Sequence, residues 1–198
     1  MTPLPPTPTL TAQVRLDGAA GTRAFAASLA GVLRPGDLLI LTGELGAGKT
    51  TFTQGLGEGL GVPGGVISPT FVLSRIHPTP GDGPDLVHVD AYRLRSGGEL
   101  TDLDIEATAD RSVTVVEWGR GLAESLAGFP EDPQASWLDI ELVRALGGAE
   151  PEASHDAGPA SEAGIVTDFS DEEGEGDQEV RTAVVTGYGP RWAGVRLP

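Results

Sequence analysis

Residues 43–50 read Gly-Glu-Leu-Gly-Ala-Gly-Lys-Thr, which matches the phosphate-binding loop G-x-x-x-x-G-K-[ST] at every fixed position. No other stretch narrows the fold as far, because such a loop works only where a buried strand runs into it and a helix leaves it. Both are foreshadowed. Leu38-Leu39-Ile40-Leu41 is a short apolar run entered through Pro35-Gly36-Asp37, as a buried parallel strand would be. After the lysine, Phe52, Leu56 and Leu60 recur at helical spacing and form one apolar stripe. Gly43, Gly46 and Gly48 remove side-chain bulk, so backbone N–H groups can converge on phosphate oxygens. Lys49 brings a mobile cation to the β/γ oxygens, and the Thr50 hydroxyl offers one corner of a Mg²⁺ shell. Gly55, Gly57 and Gly59 in the same helix each cost about 1 kcal/mol against alanine, so that helix is expected to depend on packing.

The rest of the chain reads as α/β. A short strand is expected at 14–16 and a helix at 22–33, where Phe25, Leu29, Val32 and Leu33 share a face. An extended run at 71–76 follows the Ser68-Pro69-Thr70 turn, and residues 99–107 form an acidic helical or turn region. Residues 86–90 and 113–118 are apolar strands, and each brings a carboxylate to its end. Residues 137–143 alternate apolar and polar, as a half-exposed antiparallel strand does, and 179–185 look like the hairpin partner. The fold class is therefore α/β, a P-loop NTPase-type sandwich with parallel central strands and an antiparallel edge hairpin.

Length and charge set the outline. The 198 residues suffice for one domain, placed at 13–198. Residues 1–12 are expected to be a disordered leader, too proline-rich for a signal peptide and without its basic start. Eleven acidic residues and no Lys or Arg fall between 147 and 180, so that segment holds most of the net −16 charge. It is poor in large apolar residues, and 147–177 is expected to be a disordered acidic insertion. Such a charge disfavours nonspecific binding of nucleic acid by the chain alone. No apolar run is long enough to span a bilayer. The absence of cysteine rules out disulfides and thiolate chemistry and fits a reducing cytoplasm. His77, His88 and His155 show no metal-ligand spacing.

Nucleotide chemistry also needs a metal and an oriented nucleophile. In open α/β sheets ligands sit beyond the carboxyl ends of the strands, which is where Asp90 and Glu117 arrive. One would hold Mg²⁺ and the other would complete its shell or position the attacking water. The Ser68-Pro69-Thr70 hydroxyls could sense the γ-phosphate as switch loops do. A small-molecule kinase could use the same loop, but Arg75, Arg93, Arg95 and Arg120 are too scattered to suggest a lid. The guanine-reading Asn-Lys-x-Asp motif is absent.

Taken together, the loop at 43–52, Ser68-Pro69-Thr70-Phe71, His88-Val89-Asp90-Ala91-Tyr92-Arg93-Leu94 and Val116-Glu117-Trp118 resemble the bacterial TsaE (formerly YjeE) ATPases. The likeness covers about residues 14–146 and the final strands. It implies a Mg²⁺-dependent P-loop ATPase required for threonylcarbamoyladenosine modification of ANN-decoding tRNAs. Such a protein docks on the TsaB–TsaD heterodimer, meets tRNA only indirectly, and resets that complex by hydrolysing ATP rather than transferring the group itself. By the same resemblance Leu45, Gly46, Ala47, Gly48, Lys49, Thr50 and Thr51 would bind ATP, and Thr50 with Glu117 would ligate Mg²⁺. Lys49, Asp90 and Glu117 would carry catalysis, Asp90 as the Walker-B-type acid, and Ser68, Pro69 and Thr70 the switch. Trp118 would belong beside the site or the partner surface. Two departures stand out. The acidic block is an insertion, and Ala20-Gly21-Thr22 replaces the family's Glu-Glu-Thr, so only Thr22 carries over there.

Overall fold

A computed structural model of the chain describes residues 6–69, 72–144 and 179–198. Its strands are β1 (Pro8–Asp17), β2 (Leu38–Gly43), β3 (Ser74–His77), β4 (Asp85–Asp90), β5 (Ser112–Glu117), β6 (Trp137–Arg144) and β7 (Val180–Tyr188). They form one sheet in the order β1-β7-β6-β2-β5-β4-β3. The central four, β6-β2-β5-β4, run parallel. On one side β7 pairs antiparallel with β6 and β1 with β7; on the other β3 pairs antiparallel with β4. The mixed α/β sheet expected from the sequence is present.

Both faces are covered, which is why Leu38, Leu39, Ile40 and Leu41 are all buried. On one face Leu39, Leu41, Val115, Leu138 and Ile140 join a cluster with Phe25 and Leu29 of α1 (Gly18–Ala30) and Phe52 and Leu56 of α2 (Lys49–Leu60). On the other, Leu38, Ile40, Val89, Val116 and Trp137 meet Leu100 of α3 (Gly97–Thr101) and Ile105, just before α4 (Glu106–Ala109). Trp192, near the C-terminal end, is wholly buried in the first cluster.

The helix glycines have a steric reason. A Cβ at Gly55 would stand 2.5 Å from the Arg23 carbonyl oxygen, and one at Gly59 would overlap the Ala27 carbonyl and the Ala30 methyl. The α1 backbone therefore lies directly on α2. This near contact holds the start of α2 at the end of β2, where the loop must be.

Several boundaries differ from expectation. The disordered leader placed at 1–12 gives way at residues 8–12, which are the first half of β1 and pair with β7 up to Pro8 opposite Tyr188. Pro8 is the first residue of an edge strand, a position proline tolerates, and Thr9, Thr11 and Val14 suit a pleat. Consequently β7 is not an edge; β1 covers it. β6 is also more buried than its alternation suggested, because it lies between β2 and β7 and its Asp139 is neutralised by Arg120 at 2.6 Å and 2.9 Å. The 99–107 region divides into α3 and α4. Residues 1–5 and the 147–177 insertion lie outside the described residues.

The packing makes a signed prediction. Gly59→Ala should raise intrinsic helix propensity by about 1 kcal/mol, yet overpacking against α1 should lower net stability by about 1–3 kcal/mol in urea unfolding.

Candidate functional site

β2 ends at Gly43, and the chain turns through Gly46 at φ 75° and Gly48 at φ 97° before α2 begins at Lys49. Both angles lie in the left-handed region, where a side chain is strained. No side chain caps the helix start, so its first-turn N–H groups face the loop. Lys49 is buried, and its Nζ donates to the carbonyl oxygens of Gly43 and Glu44, both at 2.9 Å. The same Nζ stands 3.7 Å from the Trp118 ring centroid. Burial holds the Lys49 ammonium below its ordinary pKa, against the opposing pull of Glu117 and Asp90.

Asp90 and Glu117 are the last residues of neighbouring parallel strands and pair with each other in register. In-register residues of parallel strands project to the same face, so both carboxylates emerge beside Lys49 and α2. Each is buried. Asp90 Oδ1 accepts the Tyr92 backbone N–H at 3.0 Å. Glu117 Oε1 lies 2.8 Å from His88 Nε2 and 3.4 Å from Thr53 Oγ1. Because a carboxylate only accepts, the His88 tautomer consistent with this contact carries its proton on Nε2. Trp118 then takes a left-handed φ of 62°, a costly conformation for an aromatic residue. It is held by its N–H bond to Leu41 O at 2.9 Å and by Tyr92, whose ring centroid is 5.5 Å away.

Leu45, Gly46, Gly48, Lys49, Thr50, Thr51, Ser68, Asp90 and Glu117, all singled out from the sequence, line one cleft of about 470 Å³ together with Tyr92, Arg93 and Trp118. Two others do not reach it by their side chains. The Ala47 methyl is buried in the core beneath the loop, and Pro69 forms a turn whose carbonyl accepts from Val72 and Leu73. Thr70 lies outside the described residues. The Thr50 hydroxyl and the Asp90 and Glu117 carboxylates in a single cleft form a hard-oxygen donor set that fits Mg²⁺. Among the described residues no three acidic, His or Cys side chains gather as a complete cage, so a cation here would share its shell with phosphate oxygens.

Sequence reasoning missed four residues. His88 and Thr53 support Glu117 from inside the core, and nothing in a lone strand histidine announces a partner 29 positions away. Arg144 and Arg181 pair in register across β6 and β7 and back the loop: a Cβ at Gly46 would meet Arg144 Nη1 at 3.7 Å, and one at Gly48 would meet Arg181 Nε at 3.6 Å. The strand-end rule does point to Arg144, since β6 runs parallel to β2. A separate cleft of about 560 Å³ lies across the sheet, around Trp137, Tyr188 and the Arg120–Asp139–Glu141 ion group, and contains none of the expected site residues.

The model of the family "Threonylcarbamoyl adenosine biosynthesis protein TsaE" matches residues 16–145. The chain belongs to the TsaE family. A Streptomyces coelicolor relative named tRNA threonylcarbamoyladenosine biosynthesis protein TsaE is 49% identical over 166 residues, 83% of this chain and 89% of the relative. A Mycobacterium leprae protein of the same name is 44% identical over 130 residues, 62% of this chain and 76% of its own. The crystal structure of Bacillus subtilis YdiB superposes with a TM-score of 0.56 at 28% identity, covering 92% of this chain and 90% of that one. TsaE proteins are thus factors of tRNA threonylcarbamoyladenosine biosynthesis, and this member carries their P-loop fold. No helix among its described residues is long and apolar enough to cross a membrane.

The shifted lysine gives a prediction with a definite sign. Between the lowered folded pKa of Lys49 and its ordinary 10.5, the unfolded chain binds the extra proton, so stability rises with pH through that window. At pH 7 the buried ammonium is therefore a net cost. Lys49→Met should unfold at a Tm equal to or above that of the wild type at pH 7 while losing nucleotide affinity, as measured by thermal unfolding beside titration with ATP.

Proposed function

We propose that this chain is a Mg²⁺-dependent ATPase that serves tRNA threonylcarbamoyladenosine formation by acting on a TsaB–TsaD heterodimer. The observation that carries the reading is the convergence of Asp90 and Glu117, paired in register, on the cleft that also holds the glycine loop and Lys49. The loop N–H groups would bind the phosphate chain, and Lys49 would exchange its carbonyl partners for β/γ oxygens. Thr50 and Glu117 would hold the cation, and Asp90 would complete its shell or orient the attacking water. Bound Mg²⁺·ATP supplies the anhydride to be cleaved and the charge that these groups neutralise. Lys49 is already desolvated, which strengthens its pull on developing phosphate charge.

The cleft mouth supports a partner that covers it. Leu45 is 86% exposed and Tyr92 70%, both at the cleft, and Ile67 beside Ser68 is 58% exposed. Large apolar side chains gathered at the mouth of a polar cleft mark an interaction site better than a free rim. The net charge of −16 agrees with tRNA being reached through the partner rather than by this chain.

Phosphate release from ATP, measured without any acceptor and with or without the TsaB–TsaD complex, tests the proposal. The wild type should hydrolyse slowly alone and at a changed rate with the complex. Glu117→Ala and Asp90→Ala should each lose about 100-fold or more, the scale of several kcal/mol of transition-state stabilisation. ADP formation that requires a small-molecule acceptor, with the phosphoryl group found on that acceptor and no free phosphate, would make the protein a kinase instead.

A further inference from the structure

His88 is wholly buried within the sheet, two residues before Asp90 on the same strand face, and it takes no part in the phosphate cleft itself. Its Nε2 meets Glu117 Oε1 at 2.8 Å, while its buried Nδ1 has no hydrogen-bond partner. Leu86 before it on the same face and Val115 opposite it on β5 are both fully buried, while Arg75 of β3 pairs with it in register. An imidazole with an unsatisfied nitrogen is a poor choice for filling such a place, since a hydrocarbon of similar volume would carry no desolvation penalty. Its one compensated atom is the one on Glu117.

Glu117 needs that contact. A buried carboxylate is tolerated only when its oxygens accept hydrogen bonds. Thr53 is the other neighbour of Oε1, but its single hydroxyl proton is better engaged with Lys49 O at 3.0 Å than with Glu117 at 3.4 Å. Both contacts fall on Oε1, on the core side of a side chain that also lines the cleft. We infer that His88 is a positioning residue that pins the core-side oxygen of Glu117, so that its other oxygen is presented to the cation site. The inference rests on the proposed function, and it assigns to a histidine outside the cleft the orientation of the carboxylate inside it. Outer-shell partners of this kind typically change metal affinity or activity about 10- to 100-fold.

The test compares His88→Leu, which removes the donor and fills the space, with His88→Gln, whose amide can place a nitrogen near the lost Nε2. His88→Asn, too short to reach, serves as the donor-free variant if the leucine form does not fold. Three readouts are taken: ATP affinity in EDTA, the Mg²⁺ concentration for half-maximal gain in that affinity, and the Glu117 side-chain rotamer in crystals. His88→Leu should leave the metal-free affinity within about 2-fold and shift the Mg²⁺ midpoint upward by about 10- to 100-fold. Glu117 should leave its wild-type rotamer in that variant, and His88→Gln should recover most of the midpoint and the rotamer. A leucine variant with an unchanged midpoint and an unmoved Glu117 would overturn the inference. If the wild type gains no affinity from Mg²⁺, the proposed function fails instead; the rotamer comparison still decides whether His88 orients Glu117.

Discussion

Parallel strands deliver their last residues to a common edge, and the site depends on that geometry. Because β4 and β5 pair in register through their final residues, Asp90 and Glu117 stand side by side without any loop to hold them. β2 pairs with β5 up to Leu41 opposite Glu117, so the glycine loop springs from the same edge one strand away. A one-residue slip of β5 would turn Glu117 to the other face, where Trp137 and Leu100 are packed. The apolar side chains that forbid the slip, Val113 and Val115 on one face and Val116 on the other, therefore fix the carboxylate as well. Core and chemistry share one register.

The second constraint lies between the helices. Gly55 and Gly59 sacrifice helix propensity so that α2 can rest on the α1 backbone at Arg23 and Ala27. That seating aims the N-terminus of α2 at the cleft and puts Thr53, bonded within the helix to Lys49 O, within reach of Glu117. A residue in the left-handed region, Trp118, closes the arrangement over the Lys49 ammonium. Such a conformation survives only where the surroundings over-determine it, and here the Leu41 carbonyl and the Tyr92 ring do so.

Much of this was legible in the chain, for reasons specific to each element. The loop at 43–50 is read from spacing because its chemistry tolerates few residue types. Asp90 and Glu117 stood out because a polar residue ending an apolar run marks a strand end. Of β1 only residues 14–16 are legible as a strand, since its start is rich in proline and its partner β7 lies about 170 positions later in the chain. β6 resembled a half-exposed strand because Asp139 and Glu141 alternate with apolar residues, and only the distant Arg120 reveals how Asp139 is accommodated. His88 opens the motif at 88–94 and shows no metal-ligand spacing, but its partner is a carboxylate on the adjacent strand, which no local pattern reveals. Propensity and pattern are local, and each of these omissions was a contact between residues far apart in sequence.

The proposed function requires that one cleft, built from the glycine loop and two strand-end acids, bind a triphosphate with its cation. A crystal structure grown with Mg²⁺ and a non-hydrolysable ATP analogue examines it most directly. The phosphates are expected inside residues 43–50, with the cation touching the Thr50 hydroxyl and the carboxylate of Glu117 or Asp90. Nucleotide bound elsewhere, or bound in the loop with the cation remote from both acids, would contradict it.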